Sequence, residues 1–131
     1  MNPSQQLGDL QLAIMQVLWR GGEATVGEVH AALQEERGLA LTTISTMLVK
    51  LEHKGVVAHR ADGRRFIYYP LISESEVQRS MVGELKQRLF RGDAAALVSH
   101  LLKDHDLDSD ELARVKSLIS AHEEREQAEE D

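Results

Sequence analysis

Leu41-Thr42-Thr43-Ile44-Ser45-Thr46-Met47-Leu48-Val49-Lys50-Leu51-Glu52-His53-Lys54-Gly55, followed at once by Val56-Val57-Ala58-His59-Arg60-Ala61-Asp62-Gly63-Arg64-Arg65-Phe66-Ile67-Tyr68-Tyr69, is the stretch that decides the fold of this 131-residue chain. Ile44, Met47, Leu48 and Leu51 recur at spacings of three and four, which predicts one helix with a buried face. Thr43, Thr46, Lys50 and Lys54 form a second stripe that must face water or a ligand. Thr42 is the expected N-cap, and Gly55 the left-handed residue that stops the helix. The short hydroxyls of Thr42, Thr43, Ser45 and Thr46 let a helix N-terminus approach an anionic backbone closely, which its dipole also favours. On the helix alone, an ordinary solvated face with threonines chosen for capping fits equally.

The second half of the stretch reads as a hairpin. Two β-prone runs flank Asp62-Gly63, a strong two-residue turn signal. Turning there would set Ala61 opposite Arg64, Arg60 opposite Arg65, His59 opposite Phe66 and Val57 opposite Tyr68. Val57, Phe66 and Tyr68 would then pack on the helices, with Arg60, Arg64 and Arg65 near the tip. Like charges opposed across a bare hairpin are destabilising, and a phosphate or a narrow minor groove between them would relieve that cost. Two solvated arginines are the alternative. A helix with a polar, basic outer face followed by a basic hairpin is the order in which winged helix-turn-helix proteins meet duplex DNA.

Around this segment the chain supplies a scaffold. A helix over Leu7 to Arg20 carries Leu7, Leu10, Ile14, Val17 and Leu18 on one stripe and ends at Gly21-Gly22. Trp19 reads as core or junction packing. Thr25-x-x-Glu28 is a capping box that opens a second helix with Val26, Val29 and Leu33 inward; His30 is expected at its surface. After Pro70 come three short amphipathic helices. Ser73-x-x-Glu76 opens the first, with Val77, Met81, Leu85 and Leu89 in line, and Gly92-Asp93 breaks it. The second carries Leu97, Val98, Leu101 and Leu102. The third starts at Asp108-x-x-Glu111 and carries Leu112, Val115, Leu118 and Ile119; beyond His122 the chain is charged and expected to fray. These helices bury too little surface for a core of their own, and their apolar stripes make an interface patch. The expectation is a mainly α fold with a small β-hairpin wing: a winged-helix DNA-binding domain over 1–72 and a helical dimerisation domain over 73–131, with Val77, Met81, Leu85, Leu89, Leu97, Leu101, Leu112, Val115, Leu118 and Ile119 at the dimer interface. Packing back onto the winged domain is the competing arrangement.

Charge divides the same way. The net charge is −7, yet residues 41–72 hold five basic side chains against two acids, and residues 73–131 hold eight against fifteen. With a Debye length of about 8 Å at physiological salt, distal acid barely repels DNA at a reading face. The chain has no cysteine, which excludes disulfides and thiolate metal clusters. The polar stretch Met1 to Asp9 has no apolar signal core, and no apolar run approaches membrane-spanning length, so a soluble, cytoplasmic protein is expected. His100, His105 and His122 lie among acids without metal-ligand spacing. No metal, no cofactor and no enzymatic activity are expected.

The series Gly38-Leu39-Ala40-Leu41-Thr42-Thr43-Ile44-Ser45-Thr46-Met47-Leu48-Val49-Lys50-Leu51, then Lys54-Gly55-Val56-Val57, Asp62-Gly63-Arg64 and Tyr68-Tyr69-Pro70-Leu71, resembles the penicillinase-repressor (BlaI/MecI) family of winged-helix regulators. Upstream, Leu7-Gly8 with Ile14-Met15 and Leu18-Trp19, and Thr25-Val26-Gly27-Glu28-Val29-His30, resemble its first two helices. The likeness is close over about residues 7 to 72 and looser beyond. It implies a homodimeric repressor on a palindromic, double-stranded operator, with Thr42, Thr43, Ser45, Thr46, Lys50, Lys54, Arg60, Arg64 and Arg65 at the DNA. It also implies a sensor or protease system that triggers release. The family's Asn-Phe cleavage pair aligns with His100-Leu101, so that site is not reproduced, and the cysteine copper site of a metal-sensing branch is absent. A protein-interaction module, with a winged helix contacting a protein and acidic helices recruiting a partner, is the alternative function; salt-sensitive DNA binding that depends on Lys50 and Arg65 separates the two.

Overall fold

The computed structural model describes residues 7–104 and 106–130; His105 and the first six residues of the polar N-terminal stretch lie outside the described residues. In chain order the elements are α1 (Asp9–Gly21), β1 (Ala24–Thr25), α2 (Val26–Arg37), α3 (Leu41–His53), β2 (Val57–Asp62), β3 (Arg65–Pro70), α4 (Glu74–Phe90), α5 (Ala94–Asp104) and α6 (Ser109–Glu130). The chain divides into two compact units, residues 1–85 and residues 86–131.

In the first unit three helices and the hairpin close on one core. Ile14, Met15 and Leu18 of α1, Val29 of α2, Ile44, Leu48 and Leu51 of α3, and Val56 and Val57 at the start of the hairpin are fully buried. Each such side chain contributes about 1.5–3 kcal/mol of burial, so this cluster dominates the unit's stability. The core stripe of α1 was expected to run through Leu10 and Val17. Those two are only partly buried, and Ala13 and Met15 take the inner positions.

Local chemistry sets the element ends. Thr25 Oγ1 accepts from the Glu28 backbone N–H at 3.2 Å, and Glu28 Oε1 accepts from the Thr25 N–H at 2.9 Å. The Thr25 backbone N–H, and then the Thr25 hydroxyl, hold the Glu28 carboxyl below its ordinary range. Because its folded value is depressed, the box helps α2 at neutral pH and is lost as pH falls through that value. At the end of α3, the Val56 N–H reaches Leu51 O at 3.2 Å and the Gly55 N–H reaches Glu52 O at 3.0 Å, with Gly55 at φ 81°. This is a Schellman close, and it aims the chain into β2.

The three-stranded sheet has the order β1-β3-β2. The two-residue β1 pairs Ala24 with Tyr68 and Thr25 with Ile67, an addition the sequence reading lacked. Between β2 and β3 the register is Asp62 opposite Arg65, Ala61 opposite Phe66, Arg60 opposite Ile67, His59 opposite Tyr68 and Val57 opposite Pro70. The loop is therefore Gly63-Arg64, not Asp62-Gly63. Gly63 alone in this turn has positive φ, 64°, and a glycine leading a two-residue loop is the type II′ pattern. A turn over Asp62-Gly63 of type I′ would need Asp62 there as well. The slip of two residues preserves which side chains share a face, but Arg60 no longer opposes Arg65.

Further departures concern packing. Phe66 is 50% exposed rather than packed on the helices, while Ile67 is buried. Val77, expected at a dimer interface, is 2% exposed and belongs to the core of the first unit, with Met81 packed against that core. His30 is not a plain surface residue, since its Nε2 lies 2.9 Å from Leu39 O. The carbonyl must accept, so Nε2 carries the proton and ties α2 to the turn before α3. Trp19 Nε1 donates to Ile72 O at 2.9 Å.

In the second unit no residue of α5 or α6 is buried. Leu89, Leu101, Leu102, Leu118 and Ile119 are exposed, Leu89 and Leu118 by 68% and 67%. Asp93 Oδ1 accepts from the Ala96 N–H and Asp108 Oδ1 from the Glu111 N–H, capping α5 and α6. The charged tail does not fray at His122: α6 continues to Glu130, with a His122–Glu126 pair at 3.1 Å one turn apart.

Candidate nucleic-acid interface

The outward face of α3 is rotated from its expected position. Besides Leu41 at its first position, its exposed residues are Thr42, Thr46, Val49, Lys50 and His53, spaced i, i+4, i+7, i+8 and i+11, so these five form one continuous stripe. Thr43, Ser45 and Lys54 are half-buried at its flanks. Thr42 is not the N-cap. Ala40 is, without a side-chain cap bond, and the helix starts at Leu41; Thr42 is thereby free to project from the first turn. Val49 and His53 were missed because one apolar residue and one histidine do not stand out in a pattern read for hydroxyls and lysines.

Lys54 is bonded within the chain. Its Nζ donates to Gln11 Oε1 at 2.7 Å, and that oxygen also accepts from the Gly8 N–H at 3.3 Å. Burial pushes the Lys54 ammonium below the usual lysine range. The residue anchors the end of α3 to the start of α1.

The wing is fastened to the same helix. His59 Nδ1 lies 2.8 Å from both Glu52 oxygens, and the His59 ring stacks on Phe66 with centroids 4.3 Å apart and lies 5.4 Å from Tyr68. Burial, and then the Glu52 carboxylate, raise the Tyr68 phenol above its ordinary range. Of the wing arginines, Arg65 Nη2 donates to Asp62 Oδ2 at 3.1 Å, Arg60 Nη2 donates to Glu23 Oε2 at 2.7 Å, and Arg64 is exposed at the turn. Both acids of residues 41–72, Glu52 and Asp62, are thus engaged within the chain. The outward stripe of α3 carries no carboxylate, and Lys50 is its cation.

Among the described residues there is no group of three or more His, Asp or Glu placed to hold a metal ion. No helix among them is long and apolar enough to cross a membrane. A cavity of about 350 Å³ lined by Gln16, Trp19, Arg20 and Glu74 lies within the first unit, away from α3.

Comparison with known proteins gives a consistent result. The penicillinase repressor family model matches residues 7–121. The penicillinase repressor of Bacillus licheniformis is 28% identical over 120 residues, covering 92% of this chain and 94% of that one. The transcriptional regulator BlaI of Mycobacterium tuberculosis is 36% identical over 119 residues, covering 88% and 86%. Among solved structures, the DNA-binding domain of the repressor BlaI superposes with a TM-score of 0.52 at 36% identity, covering 58% of this chain and 93% of that domain.

Proposed function

The chain belongs to the penicillinase repressor family, and from that premise we propose that it is a transcriptional repressor, not an enzyme, that binds a palindromic DNA operator as a homodimer. The observation that carries this reading is the outward stripe of α3, largely polar, basic and free of carboxylates, standing beside an arginine-rich wing, with Glu52 of α3 and Asp62 of the wing both engaged within the chain. A helix of that character is about the size of a B-DNA major groove. Thr42, Thr46 and Lys50 meet base edges and adjoining phosphates, with Thr43 and Ser45 at the margins. Arg60, Arg64 and Arg65 hold the flanking backbone or minor groove, and Lys54 sets the angle of α3. Two copies enter successive major grooves about one helical turn apart, and promoter occlusion represses transcription, which places the protein in the cytoplasm.

Dimerisation is assigned to the second unit, where leucines on α4, α5 and α6 are exposed among the described residues. Leu89, Leu97, Leu101, Leu112, Val115, Leu118 and Ile119 make this contact, with Leu85, the last residue of the first unit, at its margin; Val77 and Met81 pack in the first unit's core instead. The pair aligned with the family's cleavage site is His100-Leu101, so release by a sensor or protease system uses cleavage elsewhere, a ligand or another partner; His100 lies 2.8 Å from Asp104 and meets the Phe90 ring edge-on.

Two side chains test the base and backbone assignments together. Lys50→Ala costs about 1–3 kcal/mol on the operator and relaxes preference at one position per half-site. Arg65→Ala weakens operator and random DNA alike. Both are read by fluorescence anisotropy on a site selected by the protein from a random pool. Equal losses on both DNAs for Lys50→Ala would demote it to a phosphate contact.

The Arg60–Glu23 pair sets up a competition. Both side chains are half-exposed, so the pair is worth no more than about 1 kcal/mol, and a phosphate must displace Glu23 to gain Arg60. Glu23→Gln is expected to tighten operator binding by about two- to fivefold. Unchanged or weaker binding in a titration of that variant would mean that Arg60 does not leave Glu23 for DNA.

A further inference from the structure

Val49 is the apolar member of an outward stripe otherwise made of Thr42, Thr46, Lys50 and His53. It is 42% exposed and lies one helical turn from Thr46 on one side and from His53 on the other. Nothing in the fold explains it. Its side chain is absent from the core cluster and from the partly buried residues packed around that cluster, and a β-branched residue is a weaker helix former than Ala, Gln or Lys. A single exposed apolar side chain is ordinary on a protein surface, but this one lies between Thr46 and Lys50, within the surface assigned to base edges.

We propose that Val49 is a specificity-determining residue, whose γ-methyl groups pack on the C5 methyl of one thymine in each half-site. The inference rests on the reading of α3 as the helix that enters the major groove, and it names what that helix selects there. Thymine alone of the four bases presents a methyl group in the major groove. Valine is suited to meet it, because branching at Cβ confines χ1 in a helix to essentially one rotamer. The methyls are therefore already placed, and little side-chain entropy is lost on contact. Thr46, three residues earlier, presents a hydroxyl and a methyl beside it, and Lys50, next in sequence, supplies the charge that holds the helix against the groove. The nearest acid in sequence, Glu52, is turned away onto His59, so no carboxylate stands between Val49 and a base pair.

The test uses the full-length protein and an operator selected by it from random duplex DNA. Each thymine is replaced in turn by deoxyuridine, which removes the C5 methyl and leaves every hydrogen-bonding group in place. One such replacement per half-site is expected to weaken wild-type binding by about three- to tenfold. Val49→Ala should lose a similar factor on the unmodified operator and become indifferent to that same uracil, so the two changes are not additive. Val49→Thr, which keeps one γ-methyl and the branch, should respond to the uracil partially. A selected operator whose binding ignores every thymine methyl overturns the Val49 contact but leaves the repressor reading standing, as does a Val49→Ala variant that remains as sensitive to uracil as the wild type. A selection that yields no preferred sequence at all overturns the major-groove reading of α3, and this inference with it.

Discussion

Operator binding by this protein should fall by about 10² to 10⁴ between 50 and 200 mM salt, with log K linear in log salt. The spread follows from the ion pairs. Each protomer brings Lys50, Arg60, Arg64 and Arg65 to the surface assigned to DNA, so a dimer presents up to about eight cations, for a slope near −7 at about −0.9 per phosphate neutralised. Arg60 and Arg65 begin paired with Glu23 and Asp62. If neither exchanges its carboxylate for a phosphate, about four cations remain and the slope is near −3.6. The measured slope therefore counts how many wing arginines change partners, and Glu23→Gln should steepen it. Fluorescence anisotropy across a salt series gives the number directly. A nearly flat dependence would remove the helix and wing as a DNA surface and favour the protein-interaction reading.

What could be read from sequence was what is decided locally. The capping box at Thr25 and Glu28 and the Gly55 stop each involve residues three to five apart, so a linear pattern contains all the participants. The winged fold followed from these and from helical periodicity. The hairpin register did not, because Asp62-Gly63 and Gly63-Arg64 are both acceptable loops and differ only in which residue takes positive φ. One glycine satisfies the second turn alone. β1 was invisible because two residues carry no period, and its existence depends on β3 forty residues later. The outward stripe of α3 was expected in a rotated position: Thr43 and Lys54 are polar, yet they border the core, and Lys54 is drawn to Gln11 on another helix. Val77 makes the same point for the helices after Pro70. An i, i+4 apolar row shows that a helix buries one face without naming what covers it, and the first turns of α4 are covered by the winged unit itself.

That last fact changes where the chain must be cut to separate reading from dimerisation. A break after Ile72, where the sequence alone would put it, removes Val77 from the core and Met81 from its edge. Burial of each such side chain is worth up to about 1.5–3 kcal/mol, against a total stability of about 5–15 kcal/mol for a small domain. Trp19 would also be left bonded to the carbonyl of a terminal residue. Residues 1–72 should therefore melt well below residues 1–85, which retain the whole core cluster. The longer fragment should be a folded monomer. It should bind a half-operator as the intact protein's subunit does and a full operator about 10² to 10⁴-fold more weakly than the dimer, because linkage turns the second contact into an intramolecular one at an effective concentration on the order of mM. Sedimentation of both fragments and the intact chain, with gel shifts on full and half operators, makes the comparison. If residues 1–85 still dimerise, or grip the full operator as tightly as the intact protein, the exposed leucines of α5 and α6 serve something other than pairing two reading heads.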